Sequence, residues 1–373
     1  MTVWIQNPFD GLPFEGGRKQ RYWLMSEAFL RAGHRVVYWT ADFSHATKGR
    51  RPPVPPGAAP DGMEVRFVPT RPYPSNVCLA RQRSHRAYAA EWKRMALADP
   101  GERPSLLVTS MPTISAAEAA LEVAGRCGAR VVVDVQDAWP ETFERLFPRC
   151  ARLFARAALA PWRRRARRIY READAVTGVC DHYRELTGRS DYYRAYLGIE
   201  RIGEAAPQRA ADGVVRLVYS GNLGRSYDLE TVVRAVAGDP AMELDVAGFG
   251  EFSSDCPRVR FHGLLSASAL AELYSRCDVG VIPMRDESWV GVPNKMFDYA
   301  AAGLRIVGSL GGETAALIAK YGCGATYEPG DAASFAEAVR GCAGIGRGAS
   351  LSLCEAEFDA VRIYDNYVQR ILV

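Results

Sequence analysis

The chain has 373 residues, with 47 basic and 43 acidic side chains for a net charge of +4, and is 48% hydrophobic and 24% charged. These proportions suit a globular protein of about two domains and exclude a disordered chain, a collagen-like repeat and a coiled coil. No uncharged stretch is long enough to span a bilayer. The start, Met1-Thr2-Val3-Trp4-Ile5-Gln6, lacks the basic and apolar regions of a signal peptide, so a soluble cytoplasmic protein is expected. In chain order, strand 3–6 precedes an amphipathic helix over 18–32 that stops at Gly33, and strand 34–40 follows. After a proline-rich loop (51–61), the pattern predicts strand 63–69 and a long helix over 77–98. Further buried strands fall at 105–110, 130–135 and 175–179, each followed by a helical stretch. Residues 198–213 are polar, alanine-rich and unpatterned, and read as a linker. The alternation then restarts: strand 214–219, helix 228–237, strands 242–247 and 259–262, helix 266–276 and strand 278–283. Helix 294–302, strand 304–308, helix 313–321, strand 325–328 and helix 332–342 follow, and an amphipathic helix over 355–372 ends the chain.

Near-continuous apolar strands alternating with helices imply parallel sheets covered on both faces. The expected fold is α/β, with two doubly wound, Rossmann-like domains facing across a cleft: 1–197, and 214–352 beyond the 198–213 linker. The final segment, 353–373, is a helix able to cross back to the first domain. Ligands in such sheets sit at the carboxyl ends of strands. Nine cysteines, odd in number and without Cys-x-x-Cys spacing, argue against a disulfide framework or a zinc site. Charge is uneven: residues 1–190 carry +11 and residues 191–373 carry −7. The densest basic run is Arg163, Arg164, Arg165, Arg167, Arg168 and Arg171, on a helix beside Trp162 and an apolar stretch. A basic helix of this kind can rest on anionic lipid, although a solvated helix face fits as well. The arginines lack interleaved aromatics and a recognition motif, so no nucleic-acid partner is expected.

Several segments carry chemistry. Gly16 and Gly17 follow the first strand and open a helix, where backbone N–H groups can meet a phosphate; an ordinary glycine turn is the alternative. Gly221, Asn222, Gly224 and Arg225 repeat this arrangement after the first strand of the second domain. Gly248-Phe249-Gly250 lacks the third glycine of a dinucleotide fingerprint, so no nicotinamide or flavin cofactor is expected. Lys295 and Asp298 share a face at the start of an otherwise apolar helix. There a cation can meet a diphosphate and a carboxylate a vicinal diol, unless the two form a solvated surface pair. Asp137, Trp139 and Glu141 stand at a strand end and helix start, where Asp137 serves equally as a structural N-cap.

Together these residues resemble the retaining glycosyltransferases of family 4, which have the GT-B fold. Glu15-Gly16-Gly17 with its helix and Gly33-His34 resembles the family's start. Asp137-Ala138-Trp139-Pro140-Glu141 resembles the Asp-x-Trp-Pro-Glu segment of a branch acting in bacterial surface-polysaccharide assembly, and Pro293-Asn294-Lys295 that branch's Pro-Ser-Lys. Phe297-Asp298-Tyr299-Ala300-Ala301-Ala302-Gly303 resembles the helix whose carboxylate holds the donor ribose. The resemblance implies transfer of a sugar, with retention, from a nucleotide sugar, a UDP-sugar above all, to a hydroxyl on a lipid-linked saccharide or a small molecule. Lys295, Arg225, Gly16 and Gly17 would meet the diphosphate, with Gly221 and Asn222 beside them. Asp298 would hold the ribose, Gly250 and Leu265 the base, and Val292 and Asn294 the donor sugar region. Asp137 would orient the acceptor, with Trp139, Glu141 and Ser110 nearby. The chain departs from the family at Val290, where an acidic residue is usual, at Asn222, usually Arg, and at Ser110-Met111-Pro112, where a cleft histidine is usual. With no Asp-x-Asp pair, no metal is expected. A nucleotide-sugar 2-epimerase and a non-catalytic nucleotide-sugar-binding subunit are the alternatives on the same fold.

Overall fold

The computed structural model describes all residues except 77, 100, 102, 201–212, 225, 286–289 and 310, and not the side chains of 145, 146 and 149. Most of the expected linker therefore lies outside the described residues. The chain forms two units, one of Met1–Tyr196 with Val361–Val373 and one of Leu197–Ala360.

The first unit contains β1 (Thr2–Gln6), α1 (Arg21–Arg31), β2 (Arg35–Ala41), β3 (Met63–Val68), α2 (Leu79–Ala98) and β4 (Leu106–Met111). It continues through α3 (Ile114–Cys127), β5 (Arg130–Val135), α4 (Arg152–Glu172), β6 (Ala175–Gly178), α5 (His182–Thr187) and β7 (Tyr193–Arg194). Its strands pair in parallel in the order β3-β2-β1-β4-β5-β6-β7. β1, β4 and most of β5 are buried end to end, which is why they read as unbroken apolar runs rather than alternating ones.

The second unit contains β8 (Val215–Asn222), α6 (Leu229–Gly238), β9 (Met242–Phe249), β10 (Val259–Gly263), α7 (Ala267–Arg276), β11 (Val279–Ile282) and α8 (Asn294–Ala301). β12 (Arg305–Gly308), α9 (Gly312–Tyr321), β13 (Gly324–Thr326), α10 (Ala332–Gly341) and α11 (Arg347–Leu353) follow; α12 (Ala360–Leu372), which ends the chain, belongs to the first unit from Val361 on. The order β10-β9-β8-β11-β12-β13 is again parallel and doubly wound. Strand order reverses between β1 and β4 in one sheet and between β8 and β11 in the other, the positions where such sheets open a crevice at their carboxyl ends.

Two elements differ from expectation. The helix expected from residue 18 begins at Arg21, because Pro13–Glu15 forms a short 3-10 turn that Gly16 ends in the left-handed region (φ 86°). The final helix is interrupted. Ile199 N donates to Phe358 O (2.9 Å) and Ala360 N donates to Ile199 O (3.3 Å), so backbone groups that would continue the helix pair with another segment. Phe358 packs on Phe297 in the second unit (4.3 Å between ring centres). Beyond this break, Asp365 pairs with Arg31 in the first (2.7 Å).

A fully buried ion pair fixes α1 to its sheet. Arg21 donates from Nε and Nη2 to the two oxygens of Asp134 (2.8 and 2.7 Å) and from Nη1 to the carbonyls of Ala195 and Tyr196. Tyr22 and Thr177 hydroxyls also donate to Asp134. Burial alone raises the Asp134 pKa, but Arg21 and these hydrogen bonds hold it below the usual carboxylate range.

Candidate functional site

In the second unit the site starts from glycines at adjoining strand ends. Gly221 of β8 pairs in register with Gly248 of β9. A Cβ on Gly248 would lie 1.8 Å from Gly221 O, and one on Gly250 would lie 2.6 Å from Leu223 Cβ. Both backbones have φ near +150°, so neither position admits another residue. Gly221 shares the positive φ (125°), but a Cβ there would meet only the end of the Lys295 side chain, 3.1 Å from Nζ. The glycine makes room for the ammonium.

Lys295 is brought there by α8. Tyr299, one helical turn on, lays its ring over Gly280 of β11, where a Cβ would lie 2.3 Å from ring atoms. The Tyr299 hydroxyl oxygen accepts from Ser220 N (3.1 Å), and Tyr274 donates to Ser220 Oγ (2.6 Å). This clamps the helix across the β8–β11 switch point. The Lys295 side chain is buried, its Nζ 4.6 Å from the Tyr219 ring centre and 3.8 Å from that of Tyr227. Burial pushes its pKa down to about 7, with Asp298 pulling the other way. Among the described residues no carboxylate stands within 4 Å of this ammonium. Asp298 is half-buried one turn along, Val292 buried and Asn294 exposed. Loops after β8 and β11 zip together beside it: Asp228 N donates to Pro283 O (2.7 Å) and Arg285 N to Ser226 O (3.1 Å).

The structure therefore brings Gly221 and Lys295 into contact, with Asn222 next in the same strand end. Gly250 packs on Leu223, and Leu265 follows β10 on the same carboxyl edge of the sheet. Val290, at the position usually acidic, is an exposed apolar side chain. Arg225 lies outside the described residues.

In the first unit, Gly16 and Gly17 are exposed, and four residues separate Gly16 from the first residue of α1. Gly16 caps a 3-10 turn and Gly17 follows it, so the pair does not open the helix. Asp137 accepts from Trp139 Nε1 (2.9 Å) and Thr142 Oγ1 (3.1 Å). Burial raises its pKa despite these bonds. Trp139 is buried between His85 and Phe143. Glu141 accepts from Arg163 Nε (3.1 Å), and buried Ser110 donates to Pro112 O (3.3 Å).

The sequence reading missed a second cluster here. Arg81 lies over Trp139 (5.1 Å), Phe9 (5.6 Å) and Tyr73 (6.0 Å). Its Nε donates to His85 Nε2 (3.3 Å). Burial, then the charges of Arg81 and His45, holds the His85 pKa down to about 3; burial, then Lys48 and Arg81, holds that of His45 to about 4. These side chains come from separate loops and from α2, with no spacing that marks them as a group. Among the described residues no set of three His, Cys, Asp or Glu side chains is arranged to hold a metal.

Two parallel, doubly wound units, each with polar groups at the carboxyl edge of its sheet, define the GT-B architecture. The chain belongs to the GT-B glycosyltransferases. The family model described as "Glycosyl transferase 4-like domain" matches residues 16–196, and that described as "Glycosyl transferases group 1" matches residues 214–343. Among solved structures it is similar to sucrose-phosphate synthase from Thermosynechococcus elongatus (TM-score 0.73, 14% identity, covering 100% of this chain and 98% of that one). It is also similar to Anabaena HepE in complex with UDP-glucose (TM-score 0.64, 14% identity, 100% and 99% covered). The lipopolysaccharide outer core galactosyltransferase WaaB gives a TM-score of 0.65 at 13% identity, with 100% and 99% covered. None of the curated proteins compared with the chain matches it.

Proposed function

We propose that this glycosyltransferase moves a sugar from a nucleotide sugar, a UDP-sugar, to a hydroxyl acceptor with retention of anomeric configuration. The observation that carries the reading is the Lys295 ammonium: buried, seated on Gly221 at the switch point, and without a carboxylate within salt-bridge distance among the described residues. A diphosphate at this strand end supplies the missing counter-charge, and the α8 N-terminus adds partial positive charge. UDP and UDP-glucose in HepE support the donor class.

In the proposed transfer, the bond from the sugar C1 to the diphosphate oxygen breaks and the bond from C1 to the acceptor oxygen forms on the same face. The acceptor proton leaves with the nucleoside diphosphate. Lys295 stabilises the charge that grows on the departing diphosphate, with Arg225, Gly16, Gly17, Gly221 and Asn222 assigned to the same group. Asp298 holds the ribose, Gly250 and Leu265 the base, and Val292 and Asn294 the donor sugar region. Asp137 orients the acceptor, and Trp139, Glu141 and Ser110 shape its surroundings. No step calls on a metal. Surface-polysaccharide or glycolipid assembly, or glycosylation of a small molecule, is the proposed setting.

We also assign a peripheral membrane contact to α4. Arg163 is engaged by Glu141 and Glu144, and Arg165 and Arg168 by Glu118. Arg164, Arg167 and Arg171 face outward. Leu153 and Phe154, on the first turn of α4, are 74% and 80% exposed.

Calorimetric titration of UDP tests the donor site: Lys295→Ala is expected to weaken binding at least about tenfold. Unchanged affinity removes Lys295 from the site. A thermal-shift screen over UDP-, GDP- and dTDP-sugars identifies the donor, since a ligand of the native state raises its melting point. Proton NMR of the product reads the anomeric outcome.

A further inference from the structure

We propose that the basin around Arg81 and Lys48 in the first unit binds an acid group, carboxylate or phosphate, carried by the acceptor. Two cations stand here with only neutral partners among the described residues. Arg81 donates to Asn76 O (2.7 Å) and His85 Nε2 (3.3 Å). Lys48 donates to His45 O and to Asn76 Oδ1 (2.6 Å). Among the described residues neither has a carboxylate within 4 Å. Asp137 attracts Arg81 at longer range, but its two oxygens are taken by Trp139 and Thr142.

The walls are aromatic. Arg81 lies over Trp139, Phe9 and Tyr73, and Lys48 Nζ is 5.1 Å from the Tyr73 ring centre. Ring faces hold a cation in place without neutralising it. The two histidines stay uncharged beside these cations, so the basin keeps a positive potential. Lys48 is also the one non-glycine among the described residues in the left-handed region (φ 58°), a conformation few lysines adopt. Its amide donates to Ser44 O (3.0 Å), which closes the turn that carries the side chain toward Tyr73 and Asn76. A planar guanidinium accepts a carboxylate or phosphate through two parallel hydrogen bonds, with the ammonium as a second point charge. The rings offer contact to a flat or apolar body beside the acid.

The proposal rests on the transfer reading above, because it assigns the basin to the acceptor. Benzoate, phenyl phosphate and neutral benzamide are the probes, titrated by ligand-observed NMR into the UDP-saturated protein. A separate UDP titration reads the Lys295 site. The expected result is that at least one acid binds about tenfold or more tighter than benzamide. Arg81→Gln loses that preference, and Arg81→Lys, which keeps the charge, retains part of it. The tighter of the two acids names the source, carboxylate or phosphate. Equal binding of all three probes, no binding at millimolar concentration, or an unchanged preference in a folded Arg81→Gln overturns the proposal while leaving the donor reading intact. Failure of the wild-type chain to bind UDP overturns the donor reading instead, and the probe preference then still reads this basin.

Discussion

The Lys295 ammonium stands 3.8 Å from the centre of the Tyr227 ring and fills the space that a Cβ on Gly221 would crowd, 3.1 Å from it. A buried cation with aromatic neighbours but, among the described residues, no carboxylate within 4 Å is held at an energetic cost that a bound anion relieves. Burial depresses its pKa from 10.5 to about 7, and two cation–π contacts offset only part of that cost.

Lys295→Met is therefore expected to stabilise the ligand-free protein. Methionine keeps the apolar volume against Tyr219 and Tyr227 and removes the charge. Between pH 7 and 10.5 the unfolded state binds the proton that the folded state has released, so this lysine's penalty is largest at pH 7 and below and fades as pH rises. The variant should gain about 2–4 kcal/mol at pH 7, with most of the difference gone at pH 10. It should also lose the stabilisation that UDP gives the wild type. Thermal unfolding at the two pH values, with and without UDP, reads all of this. A melting point that falls at pH 7 contradicts the buried-cation account.

Gly248 tests the strand junction. Its missing Cβ leaves room for the Gly221 carbonyl, which would otherwise lie 1.8 Å away. Gly248→Ala should cost roughly 4 kcal/mol or more, seen as unfolding or as rapid proteolysis of the second unit. Gly17→Ala, at a site with open space around the new carbon, should leave stability within about 0.5 kcal/mol. Equal behaviour of the two variants would show that β8 and β9 tolerate a wider spacing.

The buried Arg21–Asp134 pair gives a third prediction. Arg21→Met leaves Asp134 charged and unmatched, at a cost of about 3–5 kcal/mol. The double variant Arg21→Met with Asp134→Leu should lose less, because no orphan charge remains. The folded Asp134 pKa is depressed, so its contribution is present at neutral pH and goes only as pH falls through that low value. Urea unfolding of the single and double variants at pH 7 checks the coupling; strictly additive losses would deny it.

How much of this was legible from the chain depends on how local each feature is. The strands were readable because burial on both faces makes them continuous apolar runs, and Lys295 stood out as a charge at the start of an apolar helix. The contact between Lys295 and Gly221 was not readable, since only the sheet order brings β8 beside α8. Glu141 read as an acceptor-side residue at a helix start; its engagement by Arg163 on α4 was not readable. The pairing of Asp134 with Arg21 was not readable either, because the two lie on elements far apart in the chain. Arg81 and His85 share a face of α2, and His45 and Lys48 share one turn, but the two pairs meet only through the fold.

The last prediction concerns α4. Its exposed side chains change character along the helix, with Leu153 and Phe154 in the first turn and Arg164, Arg167 and Arg171 further on. Apolar side chains that enter the acyl boundary beside arginines that meet headgroups form an interfacial contact, each basic residue adding about 1 kcal/mol at an anionic surface. The protein should float with vesicles containing phosphatidylglycerol and not with phosphatidylcholine alone, and release should follow added salt. Leu153→Ser with Phe154→Ser should weaken binding at all salt concentrations. Gln at Arg164, Arg167 and Arg171 should flatten the salt dependence, whereas Gln at the ion-paired Arg165 and Arg168 should change it less. If the outward and paired arginines prove interchangeable in flotation, net charge alone drives binding and α4 is not the contact.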